Sequence, residues 1–449
     1  MDILLGFAAV CLTLAAFLVF SFRFPYPLNV VSLLLAFFGS GYYVVPLLMP
    51  KESGWKEIPE DLKGAVLSLH FGYLVMFLCG MMVFSWIDGK KKIGRFSEDT
   101  FSKWFLFRLI HQNSLWFLGC ALVLLAYFSV NGVGTSYESD DRYEYFTAGR
   151  GPIERLSVIV PFVQGFVCYM IAGLFSQKKW RKFSIVLAVY VLISLISSFK
   201  GQRLAAIIPF VMLFVFSVRQ IGLKKALPGL VAIGVFLVII SPVAVFFRES
   251  WANQDEKSVR DQLVVYLEDG PSDEGVFTTI GERADLYYVT YLFLSEEELE
   301  FDRIRYVSSV LFAFLPREFR PNPHYPLSDD GSIYGETSVV AWFIERRNYS
   351  QVGSLTAFGG LYAFREGGWF WVPVNGFLCG AFGSFLCTCF ARWGLMGSFF
   401  LGVFTLSFVV KYVPSSLFQL LVSLSQYMNV IFAIVLFECF LRCVSFRKS

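Results

Sequence analysis

The sequence predicts an all-α polytopic membrane protein with about eleven transmembrane helices and a large, mostly helical loop on one face. Composition is the first reason. Of 449 residues, 56% are hydrophobic, 18% are aromatic and 51 are phenylalanine, and mean hydropathy is +0.59, far too apolar for an ordinary water-soluble surface. Spacing is the second: apolar runs of spanning length alternate with short charged connections. The third is one long departure from that rhythm, the polar excursion Arg248 to Gly368, which holds 21 of the 35 acidic residues but only 11 of the 38 Lys and Arg.

A spanning helix needs roughly 20 apolar residues. Segments meeting or approaching that need are 3–20, 28–48, 64–86, 113–130, 157–175, 183–198, 204–218, 226–247, 369–391, 398–412 and 417–441. The N-terminal run lacks a positive flank and is long, so it reads as the first span and not as a cleavable signal. Lys and Arg collect in alternate connections: Lys90, Lys91, Lys92, Arg95 and Lys103; then Lys178, Lys179, Arg181 and Lys182; then Arg219, Lys224 and Lys225. Arg23, Arg392 and the tail Arg442, Arg447 and Lys448 keep the alternation, so the N-terminus is expected outside and the C-terminus inside. The outer segments are then 49–63, 131–156, 199–203, 248–368 and 411–416.

No internal repeat or low-complexity segment divides the chain. It reads as one integral membrane domain in three stretches: 1–247 as a bundle with the outer loop 131–156, 248–368 as an outer cap, and 369–449 as the C-terminal spans. The cap contains apolar runs (Leu263–Leu267, Leu286–Leu294 and Val307–Leu315), so it should fold.

Several function classes are excluded by what is missing. No basic run is interleaved with aromatics in the manner of a nucleic-acid groove. The nine cysteines fall in expected spans or at their ends, so a disulfide framework is not expected, and Cys387-Thr388-Cys389 reads as packing. His70 and His111 are expected toward opposite membrane faces, leaving His324 alone in the large loop; neither metal nor cofactor is expected. No glycine-rich nucleotide loop or serine-nucleophile elbow occurs.

Polar chemistry is concentrated in the outer segments. The turn Ser198-Phe199-Lys200-Gly201-Gln202-Arg203 joins helices with only about 15–16 uncharged residues each, roughly 23 Å against a hydrocarbon core of roughly 30 Å. It should therefore lie in a depression below the outer surface. Two readings fit: Lys200 and Arg203 snorkel to anchor short helices, or they clamp a phosphate, with Arg203 supplying a planar fork of donors. In loop 131–156, Arg142 and Tyr143 suit a phosphate and a sugar ring, and ordinary solvated loop charge suits them equally.

Within the excursion, Arg248 directly follows an apolar run and lies at the outer interface. Gly281-Glu282-Arg283-Ala284-Asp285 opens an amphipathic helix with the apolar face Tyr287, Tyr288, Tyr291 and Leu294. Glu282 or Asp285 can serve as a base for an acceptor hydroxyl, or simply favour the helix dipole. Tyr287 is a candidate sugar-packing surface. Arg317, Arg320 and His324 sit among Pro321, Pro323 and Pro326, which stiffen the backbone and fix side-chain directions.

In order along the chain, Asn131-Gly132 before Arg142-Tyr143, the Gly201-Gln202-Arg203 turn, Arg248, Glu282-Arg283, Phe314-Leu315-Pro316 through Arg320-Pro321-Asn322-Pro323, and Gly353-Ser354-Leu355-Thr356-Ala357-Phe358-Gly359-Gly360-Leu361-Tyr362 resemble the Wzy-type oligosaccharide repeat-unit polymerases of bacterial O-antigen and common-antigen synthesis. The resemblance covers roughly residues 120 to 380. It implies a GT-C-like helical bundle under a periplasmic cap and an undecaprenyl-diphosphate-linked oligosaccharide as substrate. It also implies an inner-membrane location with a periplasmic active face, and a Wzz-type chain-length co-polymerase as a partner beside membrane lipids. The functional arginines it implies in periplasmic loops correspond to Arg142, Arg203, Arg248, Arg283, Arg317 and Arg320. An O-antigen ligase is the nearest alternative. A lipid-oligosaccharide flippase is a non-enzymatic one, which would call for repeated halves and charges buried midway in spans.

Overall fold

The computed structural model describes residues 2–48, 54–91, 104–131, 160–199, 203–232, 234–235, 287, 290–291, 294–295, 359–405 and 417–446. Among these the fold is all-α, with no strand. The helices are α1 (Asp2–Ser21), α2 (Leu28–Gly39), α3 (Val45–Leu48), α4 (Glu60–Lys91), α5 (Phe105–Gln112), α6 (Ser114–Asn131), α7 (Val160–Ser176), α8 (Trp180–Phe199), α9 (Arg203–Ile221), α10 (Gly359–Arg392), α11 (Gly394–Thr405) and α12 (Leu417–Phe446).

Among the described residues, three helical stretches are long and apolar enough to cross a membrane: Leu4–Ser21, Glu60–Gly89 and Gly367–Arg392. Shorter apolar helices are Leu28–Gly39, Ser114–Ser129, Phe162–Ser176 and Phe210–Ile221. Large apolar side chains such as Leu4, Leu12, Trp86, Trp116, Val123 and Phe370 stand exposed, as lipid contact permits and water does not. The chain is a helical protein built to be embedded in a membrane.

It divides into two compact units. The first comprises Met1–Arg95, Thr278–Cys389 and Ser407–Val435. Here α1 packs on both α2 and α4, burying Val10, Leu14 and Phe17. The Ser32 hydroxyl, buried on α2, donates to the Phe17 carbonyl at 2.6 Å, an interhelical bond that satisfies a polar group with no access to water. α2 runs through a π-helical turn, Ser40–Val44, into α3, so the segment expected as a single span over 28–48 is helical throughout but locally widened.

α4 and α10 meet backbone to backbone. A Cβ on Gly80 would lie 2.2 Å from the Phe377 carbonyl oxygen, one on Gly376 2.7 Å from that of Tyr73, and one on Gly380 2.0 Å from that of Phe77. Only hydrogen fits at these positions, and the close approach lets the two helices make continuous van der Waals contact without a hydrophobic drive between them. α10 is interrupted at Gly367 and Gly368, the latter at φ 71° and ψ −166°, a conformation only glycine adopts without strain. The break falls where the sequence ends the polar excursion and starts the span at 369. Further along, buried Asn375 accepts the Leu417 N–H at 3.0 Å and so caps the start of α12.

The second unit comprises Phe96–Phe277, Phe390–Leu406 and Leu436–Ser449. α7 is its central helix and packs against α6, α8, α9 and α11. Gly402 of α11 brings that helix close to Gly165 and to the Met212 side chain. Phe162, Phe390, Phe400 and Phe404 form an aromatic cluster with centroid separations of 5.5–5.7 Å.

α5 lies in a connection where no helix was expected. Its start is held by Glu438 of α12, whose carboxylate accepts the Leu106 N–H at 2.9 Å and the Arg442 Nε–H at 2.8 Å while only 4% exposed. Replacing Glu438 with alanine leaves a helix-start N–H and a guanidinium without that partner. The expected loss is about 1–3 kcal/mol, read as a lower unfolding temperature in detergent, with Glu438→Gln losing less. An unchanged unfolding temperature for Glu438→Ala would contradict the capping role.

Candidate functional site

Of the candidate site residues, Tyr287 is the one whose side chain is described. Arg203 is described in its backbone alone, as the first residue of α9. Arg142, Tyr143, Lys200, Arg248, Glu282, Arg283, Asp285, Arg317, Arg320 and His324 lie outside the described residues.

The turn between α8 and α9 is as short as the sequence suggests. α8 ends at Phe199 and α9 begins at Arg203, and the two helices pack on each other. An arginine at the first position of a helix sits at the positive end of the backbone dipole, where a cation is disfavoured and an anion is welcome. Helix stability therefore does not account for this residue.

Within the first unit, the described residues between 287 and 295 form a helical face. Tyr287, Thr290, Tyr291 and Leu294 follow i, i+3, i+4, i+7 spacing, and the Ser295 N–H donates to the Tyr291 carbonyl at 2.9 Å. Tyr287 and Thr290 are fully buried. The Tyr287 hydroxyl donates at 2.7 Å to the carbonyl of Tyr43, a residue of the π-helical turn. Its ring lies edge-on to Trp55 at 5.2 Å and to His70 at 5.5 Å. Burial pushes the phenol well above its ordinary range, so it remains a donor. With 0% of its surface exposed, Tyr287 presents no face to a sugar in this arrangement; its contacts are those of a core residue.

No family model, curated protein or solved structure matches this chain. Its function therefore has to be argued from its own residues.

Around Tyr287 the cluster continues. The Lys63 ammonium stands 5.5 Å above the Trp55 ring and pairs with Glu60, so a nearly buried cation is met by both a π face and a carboxylate. His70, 1% exposed, places Nε2 3.0 Å from the Thr290 hydroxyl. Its Nδ1 has no hydrogen-bond partner among the described residues and faces Gly360, where an added Cβ would be 3.5 Å away. Sequence reasoning weighed His70 only as a metal ligand and passed over it. The signal present was a histidine within an apolar span, where an ionisable residue is a functional-site hypothesis by default.

Proposed function

We propose that this chain is an inner-membrane polysaccharide polymerase. It would transfer a growing glycan from undecaprenyl diphosphate to the sugar end of another lipid-linked repeat on the periplasmic face. The observation that carries the reading is Arg203 at the very start of α9, three residues after Lys200, in a turn between two packed apolar helices. Two cations there are costly unless an anion meets them, and a diphosphate leaving group is such an anion.

On this reading the chain has eleven spans in a GT-C-like arrangement, with its N-terminus outside and its C-terminus inside. Two contacts support the sidedness. Trp55 and Tyr287, from two segments the reading sets outside, pack on each other. Leu106 and Glu438, from a connection and a C-terminal helix end that it sets inside, are hydrogen-bonded.

The acceptor hydroxyl oxygen attacks the anomeric carbon of the donor, and the bond from that carbon to the diphosphate oxygen breaks. The electron pair leaves with the diphosphate, and the acceptor proton passes to Glu282, Asp285 or His324. Arg203, Lys200 and the arginines Arg142, Arg248, Arg283, Arg317 and Arg320 would neutralise the charge gathering on the leaving group. A cleft with little water makes each such donor worth about 10²–10³ in rate. Tyr143 would pack against sugar rings. Energy comes from the sugar–diphosphate bond, so no nucleotide is needed outside the cytoplasm.

Deleting the protein in a producing cell separates this from the ligase. Loss of a polymerase leaves lipid A–core bearing a single repeat; bare core would overturn the polymerase reading in favour of ligation.

A further inference from the structure

We propose that His70 is a positioning residue that registers the polar excursion on the membrane helices, through Thr290 in its first half and through Gly360 near its end. The consequence for catalysis rests on the polymerase reading; the geometry does not. His70 lies on α4, which both segments cover. Its Nε2 is hydrogen-bonded to Thr290, 220 positions away in the chain. Its ring is flanked at 5.5 Å by Tyr43 and by Tyr287, itself bonded to the Tyr43 carbonyl. On the Nδ1 side, α10 begins at Gly359-Gly360, and a Cβ on Gly360 would come within 3.0 Å of Leu69 and 3.5 Å of Nδ1. The glycine lets the start of α10 settle against the imidazole edge.

A histidine is a poor choice for this place on packing grounds alone. Burying an imidazole whose Nδ1 meets no partner among the described residues carries a desolvation cost that phenylalanine avoids in the same aromatic nest. What histidine adds is direction: one polar bond at a defined angle, where an apolar contact would let the excursion slide. Glu282 and Asp285 lie a few positions before Tyr287 in the chain, so the register of this face governs where a base on that segment stands.

The test compares wild type with His70→Phe, Thr290→Val and His70→Gln, purified in detergent and reconstituted in lipid. Gln carries a side-chain amide able to reach Thr290 as Nε2 does. Hydrogen–deuterium exchange is measured in peptides covering Tyr287–Ser295 and Gly359–Glu366, and extension kinetics are measured on a synthetic undecaprenyl-diphosphate-linked repeat. His70→Phe and Thr290→Val should speed exchange in Tyr287–Ser295 by about tenfold, the effect of one lost buried hydrogen bond. His70→Phe should speed it in Gly359–Glu366 as well, and His70→Gln should restore the first peptide. Extension should lose kcat by about tenfold with KM within about twofold, since binding of the lipid-linked repeat is not what the bond controls. Unchanged exchange in both substituted proteins overturns the positioning role, and Thr290→Val carries the test if His70→Phe does not fold. Should wild type fail to extend while exchange responds as stated, the register holds and the polymerase reading falls.

Discussion

If the chain is a polymerase, Arg203→Ala should abolish glycan chain extension and leave the amount of protein unchanged. The first half follows from the transition state: charge collects on a departing diphosphate, and removing one preorganised donor typically costs about 10²–10³ in rate. The second half follows from the helix. Arg203 opens α9 at the positive end of its dipole, so deleting the cation relieves about 0.3–1 kcal/mol of unfavourable interaction. A residue that matters for folding would show the opposite pattern. Arg203→Lys should keep part of the activity, because a point charge attracts the diphosphate but cannot engage two oxygens in a plane. In cells, the alanine variant should accumulate lipid A–core with one repeat. Normal long-chain glycan in that variant would refute the clamp and leave the anchoring role of the turn.

Gly380→Leu should prevent α4 and α10 from assembling, and Gly380→Ala should lower stability by about 1–3 kcal/mol or more. The Cβ of any residue at 380 would stand 2.0 Å from the Phe77 carbonyl oxygen, which is backbone and cannot swing away. The helices would have to part along a seam that also includes Gly80 and Gly376, giving up many small dispersion contacts at once. The internal control is Gly72 on α4, where a Cβ meets nothing within 4 Å. Gly72→Ala should be neutral or stabilising by about 0.5–1 kcal/mol through helix propensity alone. Thermal unfolding of the purified variants in one detergent decides the matter; equal temperatures for Gly380→Ala and wild type would contradict the seam.

Apolar runs mark helices reliably because each must satisfy its own backbone in a bilayer. The segment 204–218 thus emerges as Arg203–Ile221, and 417–441 as Leu417–Phe446. The break before 369 was foreshadowed by Gly367-Gly368, next to Trp369 at a polar-to-apolar boundary. Partner choice was not legible. Gly376 and Gly380 make a small-residue pattern visible in the sequence, yet nothing local says that Gly80 lies opposite.

His70 and Thr290 are likewise joined by no periodicity, only by the fold. Tyr287 shows a different limit. An aromatic face at helical spacing reads the same whether it meets a sugar or another helix; here it meets Trp55, His70 and Tyr43. α5 was missed because eight residues containing Arg108 and His111 do not stand out from a charged connection. Its first turn is capped by Glu438, more than 300 positions away.

On the proposed reading, a lipid-linked diphosphate glycan is both donor and acceptor for this protein. The most direct measurement is to incubate the purified, reconstituted chain with one synthetic undecaprenyl-diphosphate-linked repeat and to resolve the products by size. A ladder of longer glycans, with release of undecaprenyl diphosphate, is the result predicted. A competent substrate that stays one repeat long in the presence of folded protein would contradict it.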